Sequence, residues 1–267
     1  MNSAPARLLI IAGSDSSGGA GIQADIKTAT ALGVYAMTAI TAVTAQDMAH
    51  VRAIHLVPGS LVRDQINCVL DGIGADAIKI GMLGSCGTAE IVADVLAARN
   101  AVPVVLDPVL VSTGGTALLE LDAIDVITSR LFPLATIVTP NLPEAERLTG
   151  IDVNSEAQLM RAAGRLREFG AAAILVKGGH AEGDRVRDIL VEENAPKIFE
   201  APRLARGSVR GTGCTLSTAI ACGLARHLSL SDAVLRAHNY VHAAIETAPD
   251  FGGGDRPLNH MHNIYRD

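Results

Sequence analysis

Val209-Arg210-Gly211-Thr212-Gly213-Cys214-Thr215-Leu216-Ser217 is the stretch of this sequence best equipped for chemistry. Two glycines flank a threonine just ahead of an apolar, alanine-rich run from Thr218 to Ala225, a pattern that predicts a sharp turn into a helix beginning at these glycines. The first N–H groups of such a helix have no carbonyl partner within it, and they converge with the positive end of the helix dipole. Gly211, Thr212 and Gly213 are therefore expected to form an oxyanion or phosphate hole without needing a lysine or arginine. Cys214 falls in the same first turn, where a thiol pKa is expected to drop and supply some thiolate at neutral pH. A base beside an anion hole suits transfer of a group to a hydroxyl or phosphate acceptor. The same nine residues also read as a small-residue helix start carrying a buried, inert cysteine.

The elements that must position this turn alternate in type along the chain. Continuous apolar runs predict strands at 8–13, 77–84, 103–109, 135–140 and 172–180, and residues 35–46, rich in Val, Ile and Thr, predict a strand or hairpin. Helices are expected over 22–33, 58–74, 88–99, 118–132, 156–169 and 232–247, with another starting at Asn141-Leu142-Pro143-Glu144; 187–193 and 197–201 read as a hairpin. Strands alternating with helices imply an α/β fold with a central, mostly parallel sheet covered on both faces. Ligands of such folds sit at the carboxyl ends of the strands. Gly13, Gln46, Met82, Asp107, Asn141, Glu144, Lys177 and Cys214 all fall at or just past a predicted strand end or at the start of the following helix. No linker, repeat or low-complexity tract divides residues 1–267, so a single domain is expected.

Composition narrows the partners. With 49% hydrophobic and 19% charged residues the chain is a folded protein, and its net charge of −6 argues against nucleic acid or an anionic membrane as partner. Aromatic residues make up 3% and tryptophan is missing, which removes the stacking platforms of single-strand binders. No apolar run is long enough to span a bilayer and residues 1–7 lack the pattern of a secretory signal, so a cytoplasmic location is expected. Cys68, Cys86, Cys214 and Cys222 show no CxxC spacing; reduced thiols are expected, with the three besides Cys214 structural. His238 and His242 stand at i, i+4 without a third ligand, which favours surface or packing roles over zinc.

A phosphoryl-transfer site needs a phosphate clamp, a magnesium anchor, an anion hole and a base aimed at the acceptor. Lys177 can neutralise phosphate, Asn141 and Glu144 are oxygen ligands suited to magnesium, through water, and Gly211 to Cys214 supply the hole and base. Asp25, near the start of a helix, either accepts hydrogen bonds from a ligand or merely favours the helix terminus. Gln46 is either a two-point partner for a heterocycle or a loop residue, and Met82 either rests against that ring or fills the core.

Taken jointly, residues 12–27 (AGSDSSGGAGIQADIK), 43–46 (VTAQ), 79–83 (KIGML), 107–109 (DPV), 139–146 (TPNLPEAE), 176–180 (VKGGH), 211–217 (GTGCTLS) and 253–260 (GGDRPLNH) resemble the hydroxymethylpyrimidine/phosphomethylpyrimidine kinases of thiamine biosynthesis, in the ribokinase superfamily. The resemblance implies a three-layer α/β/α sandwich and ATP-dependent phosphorylation of an aminopyrimidine alcohol and then of its monophosphate. It further implies that Asp25 and Gln46 hold the pyrimidine within a pocket lined by Gly13, Met82 and Val109. ATP and Mg2+ would be served by Lys177, Asn141, Glu144 and Asp107, with Cys214 at the acceptor, in a homodimer. Asp47 and the Ser112-Thr113-Gly114-Gly115 loop depart from the family pattern and bear on acceptor preference. Pyridoxal kinase of the same superfamily is the nearest rival, and a non-catalytic pyrimidine or nucleotide sensor is a rival of another class.

Overall fold

A computed structural model of the chain describes residues 4–264 except 100, 101, 111–119, 121, 181, 182, 206, 207, 253 and 254. The residues 112–115 singled out above lie outside that set.

Nine strands among the described residues form one sheet in the order β3-β2-β1-β4-β5-β6-β7-β8-β9. These are β1 (Arg7–Asp15), β2 (Tyr35–Gln46), β3 (Val51–Leu56), β4 (Ala77–Ile80), β5 (Val104–Leu106), β6 (Ile137–Val138), β7 (Ile174–Val176), β8 (Arg185–Val191) and β9 (Lys197–Pro202). The pairs from β2 through β7 are parallel, while β3, β8 and β9 join the two edges antiparallel. A short parallel pair, β10 (Val209–Arg210) and β11 (Arg256–Pro257), stands apart.

Period-two alternation in the central strands divides the core into two layers. Leu9, Ile11, Ile78, Ile80, Val104 and Leu106 face one side, against α2 (Gly59–Gly72), α3 (Cys86–Ala97), α4 (Ala123–Val126), α5 (Leu142–Thr149) and α6 (Glu156–Glu168). Leu8, Ile10, Ala77, Val105 and Leu175 face the other side, against α1 (Gly21–Ala31), α7 (Thr212–Ala225) and α8 (Leu230–Glu246). The result is the expected three-layer, ribokinase-like α/β/α arrangement. Among the described residues no helix is long and apolar enough to cross a membrane.

Three elements differ from the sequence expectation. Residues 35–46 form one strand, and its hairpin partner is β3, which is exposed over most of its length and so carries no burial pattern to read. The helix expected over 118–132 is, in its described part, α4 followed by a single wider turn at Ile127–Leu131 and a tight turn at Phe132–Leu134 containing Pro133. β10 and β11 are too short to leave any periodicity.

Candidate active site

The strand ends open into a cavity of about 730 Å3. Its first wall is the exit of β1. Asp15, 3% exposed, accepts hydrogen bonds from the N–H groups of Ser17 and Ala20, which winds residues 16–20 into a compact loop. Gly21 then opens α1 at φ +55°, and a side chain there would meet the Gly13 carbonyl at 2.4 Å. Gly13 itself lines the cavity, with the Met82 sulfur packed above it, 3.1 Å from where a Cβ would stand. Gln46, at the end of β2, reaches the same space, and its Oε1 accepts from Thr44 Oγ1 at 3.3 Å. Val109, just past β5, also lines it.

The second wall is the start of α7. Gly211 caps that helix at φ +83°, and its Cβ-equivalent position lies 1.9 Å from the Gly19 carbonyl oxygen. Only glycine can make this approach, so the turn before the helix and the loop after β1 are held backbone to backbone. Thr212, Gly213 and Cys214, the first three residues of α7, border the cavity, and their N–H groups have no acceptor within their own helix.

Cys214 differs from the sequence expectation in its ionisation. Burial is the largest influence on its thiol, repulsion from Asp25 and Asp107 adds to it, and together they push the pKa up to about 11 despite Lys79 and a hydrogen bond from the Gly21 N–H. Withdrawal from water thus outweighs the helix terminus, and Cys214 is a thiol at neutral pH in this state.

Asp25 is the second correction. It does not line the cavity: it is 0% exposed, on the sheet-facing side of α1. Its Oδ2 accepts from Lys79 Nζ at 2.8 Å and its Oδ1 from Thr218 Oγ1, one helical turn beyond Cys214, at 2.6 Å. Burial pulls the Asp25 carboxyl upward against the pull of the lysine. Lys79 does reach the cavity, as a fully buried cation in its floor; burial disfavours its charge, but the Asp25 carboxylate, with Asp107, outweighs this and keeps it protonated. Lys79 is not among the residues expected at the site from sequence, although a lysine within the apolar run Ala77-Ile78-Lys79-Ile80 is a signal that marks it.

At the far side of the hole lies a second charged group. Lys177 Nζ donates to Asp107 Oδ1 at 2.8 Å, stands 3.8 Å from Glu144 Oε2, and lies 3.1 Å from where a Cβ on Gly213 would be. Its charge is disfavoured by burial but held by the two carboxylates, so it is retained. Burial raises Glu144 to about 7, opposed by Lys177 and reinforced by Asp107. Asn141 and Glu144 form a capping box at the start of α5: Asn141 Oδ1 accepts from the Glu144 N–H, and Glu144 Oε2 accepts from the Asn141 N–H, each at 2.8 Å. Asn141 thereby fixes where Glu144 stands. Two carboxylates share a single ammonium here, and among the described residues no cluster of three or more His, Cys, Asp or Glu could cage a metal. Such a sparse donor set fits Mg2+, which keeps several waters and takes further oxygens from phosphate.

Beyond Lys177 the cavity continues between Pro202 on β9 and Val241 and Ile245 on α8. His238 and His242 border this end; His238 Nδ1 lies 2.9 Å from Asp188 Oδ2, and His242 Nε2 meets the Pro202 carbonyl at 3.0 Å. Their partners are thus a carboxylate and a main-chain oxygen, as packing roles require.

Residues 15–259 match the sequence model of a family described as phosphomethylpyrimidine kinase. A hydroxymethylpyrimidine/phosphomethylpyrimidine kinase of Streptomyces coelicolor is 47% identical over 256 residues, covering 96% of this chain and 94% of that protein. The thiamine biosynthesis bifunctional protein ThiED of Geobacter sulfurreducens is 47% identical over 255 residues; the match covers 95% of this chain and 52% of that protein, so the chain spans about half of its length. Among solved structures, the pyridoxal kinase from Staphylococcus aureus in complex with ADP superposes with a TM-score of 0.90 at 33% identity, covering 98% of this chain and 96% of that one.

Proposed function

The chain belongs to the phosphomethylpyrimidine kinase family, and from that premise we propose that it moves the γ-phosphoryl group of ATP onto 4-amino-5-hydroxymethyl-2-methylpyrimidine and then onto the resulting monophosphate. The observation that carries this reading is the meeting, at one cavity, of the amides of Thr212 to Cys214, which have no acceptor in their own helix, the Lys177 ammonium beside them and the Cys214 sulfur.

The pyrimidine lies between Gln46 and Met82, over Gly13 and against Val109, with its hydroxymethyl group toward Cys214. In the first transfer the acceptor oxygen bonds to the γ-phosphorus as the bond from that phosphorus to the β-phosphate oxygen breaks. The hydroxyl proton passes to the Cys214 sulfur as thiolate, ADP leaves with the electron pair, and the thiol returns its proton to water. The α7 amides hold the charge growing on the phosphoryl oxygens, where preorganised donors in a site shielded from water act most strongly. Lys177, kept in place by Asp107, neutralises the nucleotide end. Mg2+ would be held by Glu144 and, through water, by Asn141 and Asp107, and would supply charge neutralisation of the nucleotide phosphates. Because so little thiolate exists below a pKa of about 11, turnover of the alcohol rises with pH through the neutral range.

Cys214→Ala is the direct test. Turnover of the alcohol should fall by about 10²–10⁴-fold, the usual share of a positioned base, while ATP binding by calorimetry persists; unchanged turnover rejects the role. The S. aureus likeness favours pyridoxal as a rival acceptor. Measuring ADP release with the aminopyrimidine alcohol, its monophosphate and pyridoxal at equal concentration decides between them, and no release with any acceptor would leave the sensor reading. We also propose a homodimer, seated on the β2–β3 edge where Val43, Ile54, Leu56 and the nearby Leu61 are exposed; sedimentation of a Leu56→Glu variant as a monomer would support it.

A further inference from the structure

Two cationic side chains among the described residues, histidines aside, are almost wholly buried. Lys79 has a carboxylate, Asp25, at 2.8 Å. Arg210, 2% exposed, has none among the described residues: its Nη1 donates to the Met48 carbonyl at 2.7 Å, and its Nε is shut off from water with no partner among them. By contrast the more exposed Arg7, Arg52, Arg99, Arg130 and Arg185 each pair with a carboxylate. A guanidinium stays charged at any physiological pH, and burying one without a counter-ion is among the costliest arrangements a fold can hold. Such a group is balanced by an anion arriving with a ligand.

Its position says which end of the cavity that anion occupies. Arg210 lines the cavity and immediately precedes Gly211. Its Cδ lies 3.8 Å from where a Cβ on Gly19 would stand, so the side chain crosses the 16–20 loop. Through Met48 it is tied to the chain two residues past Gln46. It therefore stands at the acceptor end, on the opposite side of the α7 hole from Lys177, which with the α7 amides already answers the phosphates of the nucleotide.

We propose that Arg210 is the ligand for the phosphate group of a phosphorylated acceptor, the substrate of the second transfer. This rests on the kinase reading above and adds to it the group that distinguishes the two steps. In the second transfer an oxygen of the phosphate monoester bonds to the γ-phosphorus of ATP, the bond from that phosphorus to the β-phosphate oxygen breaks, and ADP leaves. No proton need be removed, because a monoester with a second pKa of about 6 already presents an ionised oxygen at neutral pH. The two steps thus lean on different residues: the alcohol on the Cys214 sulfur, the monophosphate on a fork of N–H donors that offsets the repulsion between two phosphates.

The test compares Arg210→Met and Arg210→Lys with the wild type, following ADP release with the alcohol and with its monophosphate as separate acceptors. In Arg210→Met, kcat/KM for the monophosphate should fall about 10- to 100-fold further than for the alcohol, as loss of a charge-assisted contact implies, with lysine restoring part of the gap. Cys214→Ala should tilt the ratio the other way. Equal losses for both acceptors, or a loss that appears as a raised KM for ATP, would overturn the proposal and give the guanidinium to the nucleotide or to the fold. Should the methionine variant fail to unfold cooperatively, the lysine variant alone decides, since a shortened cation must still shift the ratio. A wild-type protein silent on the alcohol, its monophosphate and pyridoxal would instead defeat the kinase reading, an outcome separate from either of these.

Discussion

Two lysines reach the same cavity, and their surroundings are built on opposite plans. Lys79 belongs to a closed set: one ammonium, one carboxylate and a threonine hydroxyl, all without exposure, spanning β4, α1 and α7. Lys177 belongs to an open set, in which Asp107 and Glu144 share one ammonium and border the cavity. The closed set is balanced before any ligand arrives, and its work is to fix three elements against each other beneath the cysteine. The open set carries surplus negative charge, which a nucleotide arriving with its cation would satisfy. Buried charge thus serves assembly where it is neutral and recognition where it is not.

The strongest blow to that contrast comes through Lys79. Lys79→Met strands a buried carboxylate and should lower unfolding free energy by about 3–5 kcal/mol in denaturant titration, with Asp25→Leu added in the same chain recovering most of it. A loss below about 1 kcal/mol would dissolve the distinction. Lys177→Met, by contrast, should cut turnover by roughly 10²-fold, comparable to removal of one donor from an anion hole, with a smaller loss of stability than Lys79→Met because Asp107 and Glu144 border the cavity.

A smaller effect separates the sets by pH. Glu144 is raised from 4.5 to about 7, so its contribution to stability is fully present below 4.5 and is lost as pH climbs through 7. The ligand-free protein should accordingly lose about 3 kcal/mol across that interval, and Glu144→Gln should flatten the profile. Least in size, binding of ATP with Mg2+ near pH 6.5 should release a fraction of a proton as Glu144 ionises against the new cation. Calorimetry in buffers of different ionisation enthalpy reads this directly, and the same release from Glu144→Gln would assign the proton elsewhere.

Much of this architecture was legible because burial writes itself as apolar runs. β1, β4, β5 and β7 are such runs, and the rule that ligands gather at the carboxyl ends of parallel strands is enough to bring Gly13, Met82, Asp107 and Lys177 to one cavity. β3 was illegible because Val51-Arg52-Ala53-Ile54-His55-Leu56 answers to hydrogen bonding at an edge and not to a core. Asp25 was misplaced for a different reason. Its partner lies 54 residues away on another element, and neither helix periodicity nor spacing reveals that a carboxylate faces a lysine through the sheet. The thiol of Cys214 was misjudged because the helix terminus is visible in sequence while the depth of its burial is not.

One further consequence lies in the interior course of α7. From Thr215 to Ala225 every residue of that helix is buried, pressed between the sheet and α8. A helix so enclosed cannot fray by itself, so the amides of Thr215 to Ala225, directly behind those proposed to receive the phosphoryl group, exchange their hydrogens only when the molecule opens as a whole. On heating, catalysis and cooperative structure should therefore vanish in one transition, without the inactive but folded species that enzymes with peripheral active loops pass through.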